Sequence, residues 1–88
     1  MAIIKKKAWP EWFEAVVSGK KQYDLRLNDF EVQEGDALVL EEWDPKTKQY
    51  TGRSIEKKVS YVGKFKIDDL FWPENEIKEK GLQIISFE

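Results

Sequence analysis

A mostly β fold of the α+β class, a small barrel of five or six short strands with one or two short helices, is predicted for this chain by three observations. Two segments alternate apolar and polar residues with the period of a strand, at residues 22–27 and 54–62. One segment alone, residues 9–17, carries a clear helical stripe. The chain has 88 residues, room for one domain spanning 1–88 with a modest interior. Closing so many short strands into a barrel removes exposed edges.

The elements follow in order. Ile3 and Ile4 mark a first strand over Ala2 to Lys6, which ends before Trp9-Pro10 because the residue preceding proline is pushed out of the helical region. The helix is inserted directly after that strand. Trp9, Trp12, Phe13, Val16 and Val17 form its apolar stripe, Pro10 suits its first position, Glu11 and Glu14 complement the dipole, and Gly19 ends it. A helix of about nine residues is unstable alone and must lie on a sheet. Gln22–Leu27 then reads as a half-buried strand, Asn28-Asp29 as a turn, and Phe30 with Val32 as a short extended piece. Glu34-Gly35-Asp36 is a tight turn into Ala37–Leu40, an apolar run fit for a strand covered on both sides. Asp44-Pro45 to Gly52 reads as a loop or hairpin tip and Ser54–Val62 as a further strand, with Lys57 out of pattern. Phe65 and Ile67 extend a strand, Asp68-Asp69 caps a short turn, and Pro73–Lys80 is a surface helix closed by Gly81, with Ile77 alone facing a core. Leu82–Phe87 is a final strand. Trp12, Phe13, Tyr23, Phe30 and Phe87 are assigned to the core.

Composition excludes several chemistries. The chain has no cysteine and no histidine, hence no disulfide, no thiolate or imidazole metal site, and no Ser-His-Asp or Cys-His catalyst. Consecutive acids in Glu41-Glu42-Trp43-Asp44 point to opposite faces of a strand, so no metal site is expected there. No cofactor is expected either. Fifteen basic and seventeen acidic residues nearly cancel, but their distribution is blocked: residues 1–21 carry +3, 22–44 −7, 45–66 +6 and 67–88 −4. Two basic blocks that met in space would make a local cationic surface on an acidic protein. No run of 18 apolar residues occurs, and Lys5-Lys6-Lys7 leads into Trp9-Pro10-Glu11 rather than an apolar signal segment. A cytoplasmic protein with no membrane contact is the expectation.

Gly19-Lys20-Lys21-Gln22-Tyr23-Asp24-Leu25-Arg26, at a helix end leading into extended chain, resembles the G-x-K-x-x-E-x-R signature of ASCH domains, small barrels of the PUA-like superfamily. With Trp12-Phe13-Glu14-Ala15-Val16, Asn28-Asp29-Phe30, Gly35-Asp36, Glu42-Trp43-Asp44 and Tyr50-Thr51-Gly52-Arg53 the sequence is most similar to the ASCH-like family DUF3850. Asp24 stands where the signature has Glu, one methylene shorter. The resemblance implies a PUA-like barrel with a cleft beside the helix-to-strand junction that binds RNA or a nucleotide-like small molecule. Some ASCH proteins hydrolyse N4-acylated cytidine using the signature lysine, a hydroxyl residue and a glutamate; Lys21 matches the lysine, Asp24 falls at the hydroxyl position, and no residue is assigned to the glutamate.

Read as chemistry, an ammonium, a carboxylate and a guanidinium converging on a cleft can hold phosphate and read a base edge. The expected ligand-binding residues are Lys20, Lys21, Asp24, Arg26, Trp43 and Arg53, with Trp43 as a stacking surface. The plain alternative is that Asp24 and Arg26 simply pair with each other. The favoured function is a non-enzymatic binding module. The enzymatic alternative is an amidohydrolase with Lys21 as base and Asp24 beside it, although a neighbouring carboxylate favours the charged ammonium and so works against a lysine base. A third reading is a protein-interaction barrel that docks a partner through the Trp72 segment.

Overall fold

A computed structural model describes residues 1–85. Strand β1 (Ile3–Ala8) is followed by helix α1 (Pro10–Val17), β2 (Ala37–Asp44), β3 (Gln49–Lys58), a 3-10 turn (Ile67–Asp69) and α2 (Glu74–Lys80). The three strands form one sheet in the order β1-β2-β3, with β1 parallel and β3 antiparallel to β2. The fold is α+β, and the sheet is not closed into a barrel within the described residues.

Three local features join β1 to the helix and the helix to the cleft. Trp9 is extended, Pro10 starts α1, and the Phe13 amide donates to the Trp9 carbonyl at 2.8 Å. Ser18 and Gly19 cap the other end, Gly19 at φ +82°, the left-handed conformation that a residue without Cβ adopts cheaply. The Lys21 amide then donates to the Ala15 carbonyl at 2.9 Å, folding the chain back over the helix end.

Alternation along β2 decides what faces the helix. Leu38, Leu40 and Glu42 share the α1 side, where Phe13 and Val16 meet Ala8 and Leu40, with Leu38 and Ile55 packed against them. Phe13 is the anchor, 1% exposed, and its burial is worth roughly 1.5–3 kcal/mol. Val39, Glu41 and Trp43 face away. Asp36 fixes the entry to β2: its carboxylate accepts from the Ala2 amide at 2.9 Å and the Gln33 amide at 3.0 Å, while the Ala37 amide donates to the Ala2 carbonyl at 2.9 Å. The Glu34-Gly35-Asp36 turn forms as expected, with Gly35 at φ +92°.

Several expectations fail in instructive ways. Gln22–Leu27 is not a strand, and Leu25 and Leu27 are exposed. Alternation reports which side a residue would face and requires a neighbour to pair with. Here the segment reaches the edge strand β1 only through a side chain, Arg26 Nη2 donating to the Lys7 carbonyl. The strand expected over 54–62 begins earlier, at Gln49, because the turn at Asp44–Lys48 is tighter than expected, and it stops at Lys58, which pairs with Ala37 at the start of β2. The Lys46 amide donates to Asp44 Oδ1 and the Lys48 amide to the Asp44 carbonyl, at 2.8 and 2.7 Å. Phe65 and Ile67 extend no strand.

The surface helix forms as expected after Pro73 and before Gly81, burying no residue and carrying the i,i+4 pairs Lys78–Glu74 and Lys80–Glu76. Residues 82–85 are exposed and form no strand; the remainder of that expected strand, with Phe87, lies outside the described residues. Of the residues assigned to the core, Trp12 is 48% and Tyr23 37% exposed, and Phe30 is half-buried beneath the Lys6 ammonium, 3.8 Å from its ring centroid. A helix this short offers the sheet a stripe about two residues wide, which Phe13 and Val16 fill.

Candidate functional site

The helix-bearing face of the sheet opens into a cleft of about 930 Å³ between the arms at residues 21–32 and 57–67. Val16, Leu38 and Leu40 contribute to its apolar lining, and Lys21, Asp24 and Arg26 line it as well. The backbone explains this convergence. The Gly19 cap and the Lys21–Ala15 hydrogen bond aim the chain along the helix end, and Arg26 ties the far end of the segment to β1.

Asp24 and Arg26 are a close ion pair, Nε to Oδ2 at 2.5 Å, with side chains 16% and 29% exposed. This arrangement is the plain alternative noted above, and it stands within the cleft. Arg26 spends its Nε on Asp24 and one Nη2 hydrogen on the Lys7 carbonyl, leaving part of its five-hydrogen fork uncommitted. Lys21 has no carboxylate within 4.0 Å among the described residues. Its ammonium lies 5.0 Å from the Trp12 ring centroid and 5.2 Å from that of Tyr23.

The other expected site residues lie elsewhere. Lys20 is exposed beside the cleft and does not line it. Trp43 is on the sheet face away from α1, where the Lys7 ammonium sits 4.5 Å from its ring and 5.7 Å from that of Tyr50. Arg53 is engaged by two carboxylates, Glu14 at 3.2 Å and Glu42 at 3.7 Å, over the Phe13 ring.

Sequence reasoning missed Glu42. It is 5% exposed, its Oε1 accepts from the Thr51 hydroxyl at 2.6 Å, and Arg53 faces its other oxygen. A bulge builds this cluster. Glu41 opposes Ser54 and Trp43 opposes Tyr50, so the single residue Glu42 faces Thr51, Gly52 and Arg53, with Gly52 at φ +94°. The signal was present in the sequence: Glu42 continues the Leu38–Leu40 row onto the helix side, where a carboxylate requires partners.

No described helix is long and apolar enough to cross a membrane. The sequence is similar to an uncharacterized 12.9 kDa protein in the GpA 3′ region of Escherichia phage P2, 34% identical over 56 residues, which are 64% of this chain and 50% of the phage protein. The chain thus spans half the length of that relative. No solved structure matches. The DUF3850 family, a domain of unknown function, matches residues 4–72, a span that takes in all of the sheet but Ile3, α1 and every residue of the cleft and of the Glu42 cluster; the chain belongs to that family.

Proposed function

We propose that the chain is a non-enzymatic binding module for single-stranded RNA or a nucleotide-like ligand, its site the cleft at the end of α1. One observation carries the reading. Lys21, Asp24 and Arg26, two cations and an anion, line one concavity over an apolar floor, and Lys21 has no carboxylate partner among the described residues. An apolar floor with a few convergent polar groups is the common form of a ligand site. The ammonium and the open part of the Arg26 fork suit phosphate oxygens, and Asp24 suits an exocyclic amine. The likeness of residues 19–26 to the ASCH signature, and with it a PUA-like barrel, belongs to this reading. Lys20 lies beside the cleft and plays a supporting part at most. Trp43 and Arg53 lie outside the site.

The test is a titration of labelled protein with a short oligouridylate and with uridine, followed by amide shifts. Residues 19–26 are expected to move. If millimolar ligand leaves them still, the reading falls. Release of acetate from N4-acetylcytidine, abolished by Lys21→Ala, would replace binding with hydrolysis.

A further inference from the structure

We infer that Trp12 and Tyr23 form an aromatic stacking subsite for a nucleobase at the lip of the cleft, held ready by the Lys21 ammonium, which passes from the two rings to the phosphate of the bound nucleotide. The inference rests on the reading just given and adds to it residues that nothing else assigns.

Trp12 and Phe13 are adjacent on α1, yet Phe13 is fully buried while Trp12 is 48% exposed. Tyr23 likewise keeps 37% of its surface in solvent, two residues beyond Lys21. Both rings come within about 5 Å of one ammonium, so two π faces from separate segments meet at a single point. The backbone fixes that meeting. Trp12 rides on the helix, and the Lys21 amide is tied to the Ala15 carbonyl of the same helix. Tyr23 and Lys21 both line the cleft, whereas Trp12 stands outside its lining, which places the pair at the entrance.

A cation resting on two half-exposed rings is weakly held, because each exposed contact is small and solvent competes for the ammonium. A ligand with a flat heterocycle and an adjacent negative charge satisfies both partners at once: the base takes the ring face and the phosphate takes the ammonium. A free nucleoside monophosphate and a nucleotide within a single strand share this chemistry.

The experiment uses the whole chain, with uridine monophosphate and an oligouridylate of about eight nucleotides, a length within the usual site size of single-strand binders. The Trp12 indole N–H resonance, assigned from Trp12→Phe, is followed with the amides of residues 21–26. Both are expected to shift. Trp12→Leu is expected to weaken binding about five- to 150-fold, with Trp12→Phe recovering most of it, whereas Tyr50→Leu, an exposed tyrosine on the opposite sheet face, is expected to leave affinity within about twofold. A shift produced by both ligands assigns the subsite to a free nucleotide, and one produced by the oligonucleotide alone assigns it to a strand. If the cleft amides shift while the Trp12 indole stays still and Trp12→Leu binds like the parent, the stacking subsite is overturned and the binding reading stands. If neither moves, both are overturned. Should Trp12→Leu fail to fold, the indole shift of the parent protein decides.

Discussion

Glu42 and Thr51 show how one buried carboxylate organises its surroundings. The Thr51 hydroxyl donates to Oε1 at 2.6 Å and accepts from the Arg53 amide at 3.3 Å, so a single side chain links the central strand to the bulge of β3. Replacing Thr51 by valine keeps the shape and removes the donor. Oε1 of the buried Glu42 then loses its hydrogen bond, and Arg53, 3.7 Å from Oε2, does not replace it. Thr51→Val is therefore expected to destabilise the fold by about 1–3 kcal/mol, the cost of orphaning a buried acceptor, read as a lower urea midpoint at unchanged slope. The outer Arg53–Glu14 pair, at 3.2 Å with side chains 52% and 61% exposed, contributes far less. At this scale Lys21, Asp24 and Arg26 line one cleft, a placement legible in the sequence because they follow one helix end at short spacing. Trp12 and Tyr23 read as core in the sequence and are exposed in the fold, since an aromatic residue in an apolar row reads as core whether or not the partner surface is wide enough to cover it.

At the scale of elements, the start of the sheet depends on Asp36. Hydrogen bonds from the Ala2 amide, then from the Gln33 amide, and the nearby chain amino group hold its carboxyl below the ordinary carboxylate range, against an opposing push from burial. A carboxyl depressed in the folded state binds its proton more readily once unfolded, so this contribution is fully present above the unfolded value of about 3.9 and is lost as pH falls through the folded one. Stability measured by urea midpoint is expected to hold from neutral pH to about pH 5 and to fall below pH 4. Asp36→Asn is expected to flatten part of that acid limb and to lower stability at pH 7; an unchanged limb would remove Asp36 from the acid response. Elements with a local cause were the legible ones: the stripe and Gly19 for α1, Pro73 and Gly81 for α2, the Gly35 turn for β2. The 22–27 segment was misread because its alternation is a local pattern, while strand identity requires a partner with free hydrogen-bonding groups, and here an arginine side chain supplies the link to β1.

Across the whole molecule, sheet order separates the basic blocks. β1, with Lys5 to Lys7, and β3, with Arg53, Lys57 and Lys58, flank β2, which carries Glu41, Glu42 and Asp44. Two strand spacings put the basic strands about 10 Å apart, close to the Debye length at physiological salt, with acids between them. The blocked charge of the sequence thus becomes an interleaved surface, and the parallel pairing of β1 with β2, which no periodicity announces, is the reason. A polyanion meeting this sheet finds no continuous cationic track. In the cleft, Arg26 is matched by Asp24, while Lys21, Lys57, Lys58 and Lys64 have no carboxylate within 4.0 Å among the described residues. Binding of a single-stranded oligonucleotide in the cleft should therefore release about one to four counterions. The slope of log affinity against log salt is expected to lie between about −0.7 and −2.8, and Lys21→Ala should reduce its magnitude by about 0.7. Fluorescence anisotropy of a labelled oligouridylate across a salt series measures both quantities. A slope steeper than about −3, insensitive to Lys21→Ala, would mean that many surface lysines hold the strand and that the cleft does not.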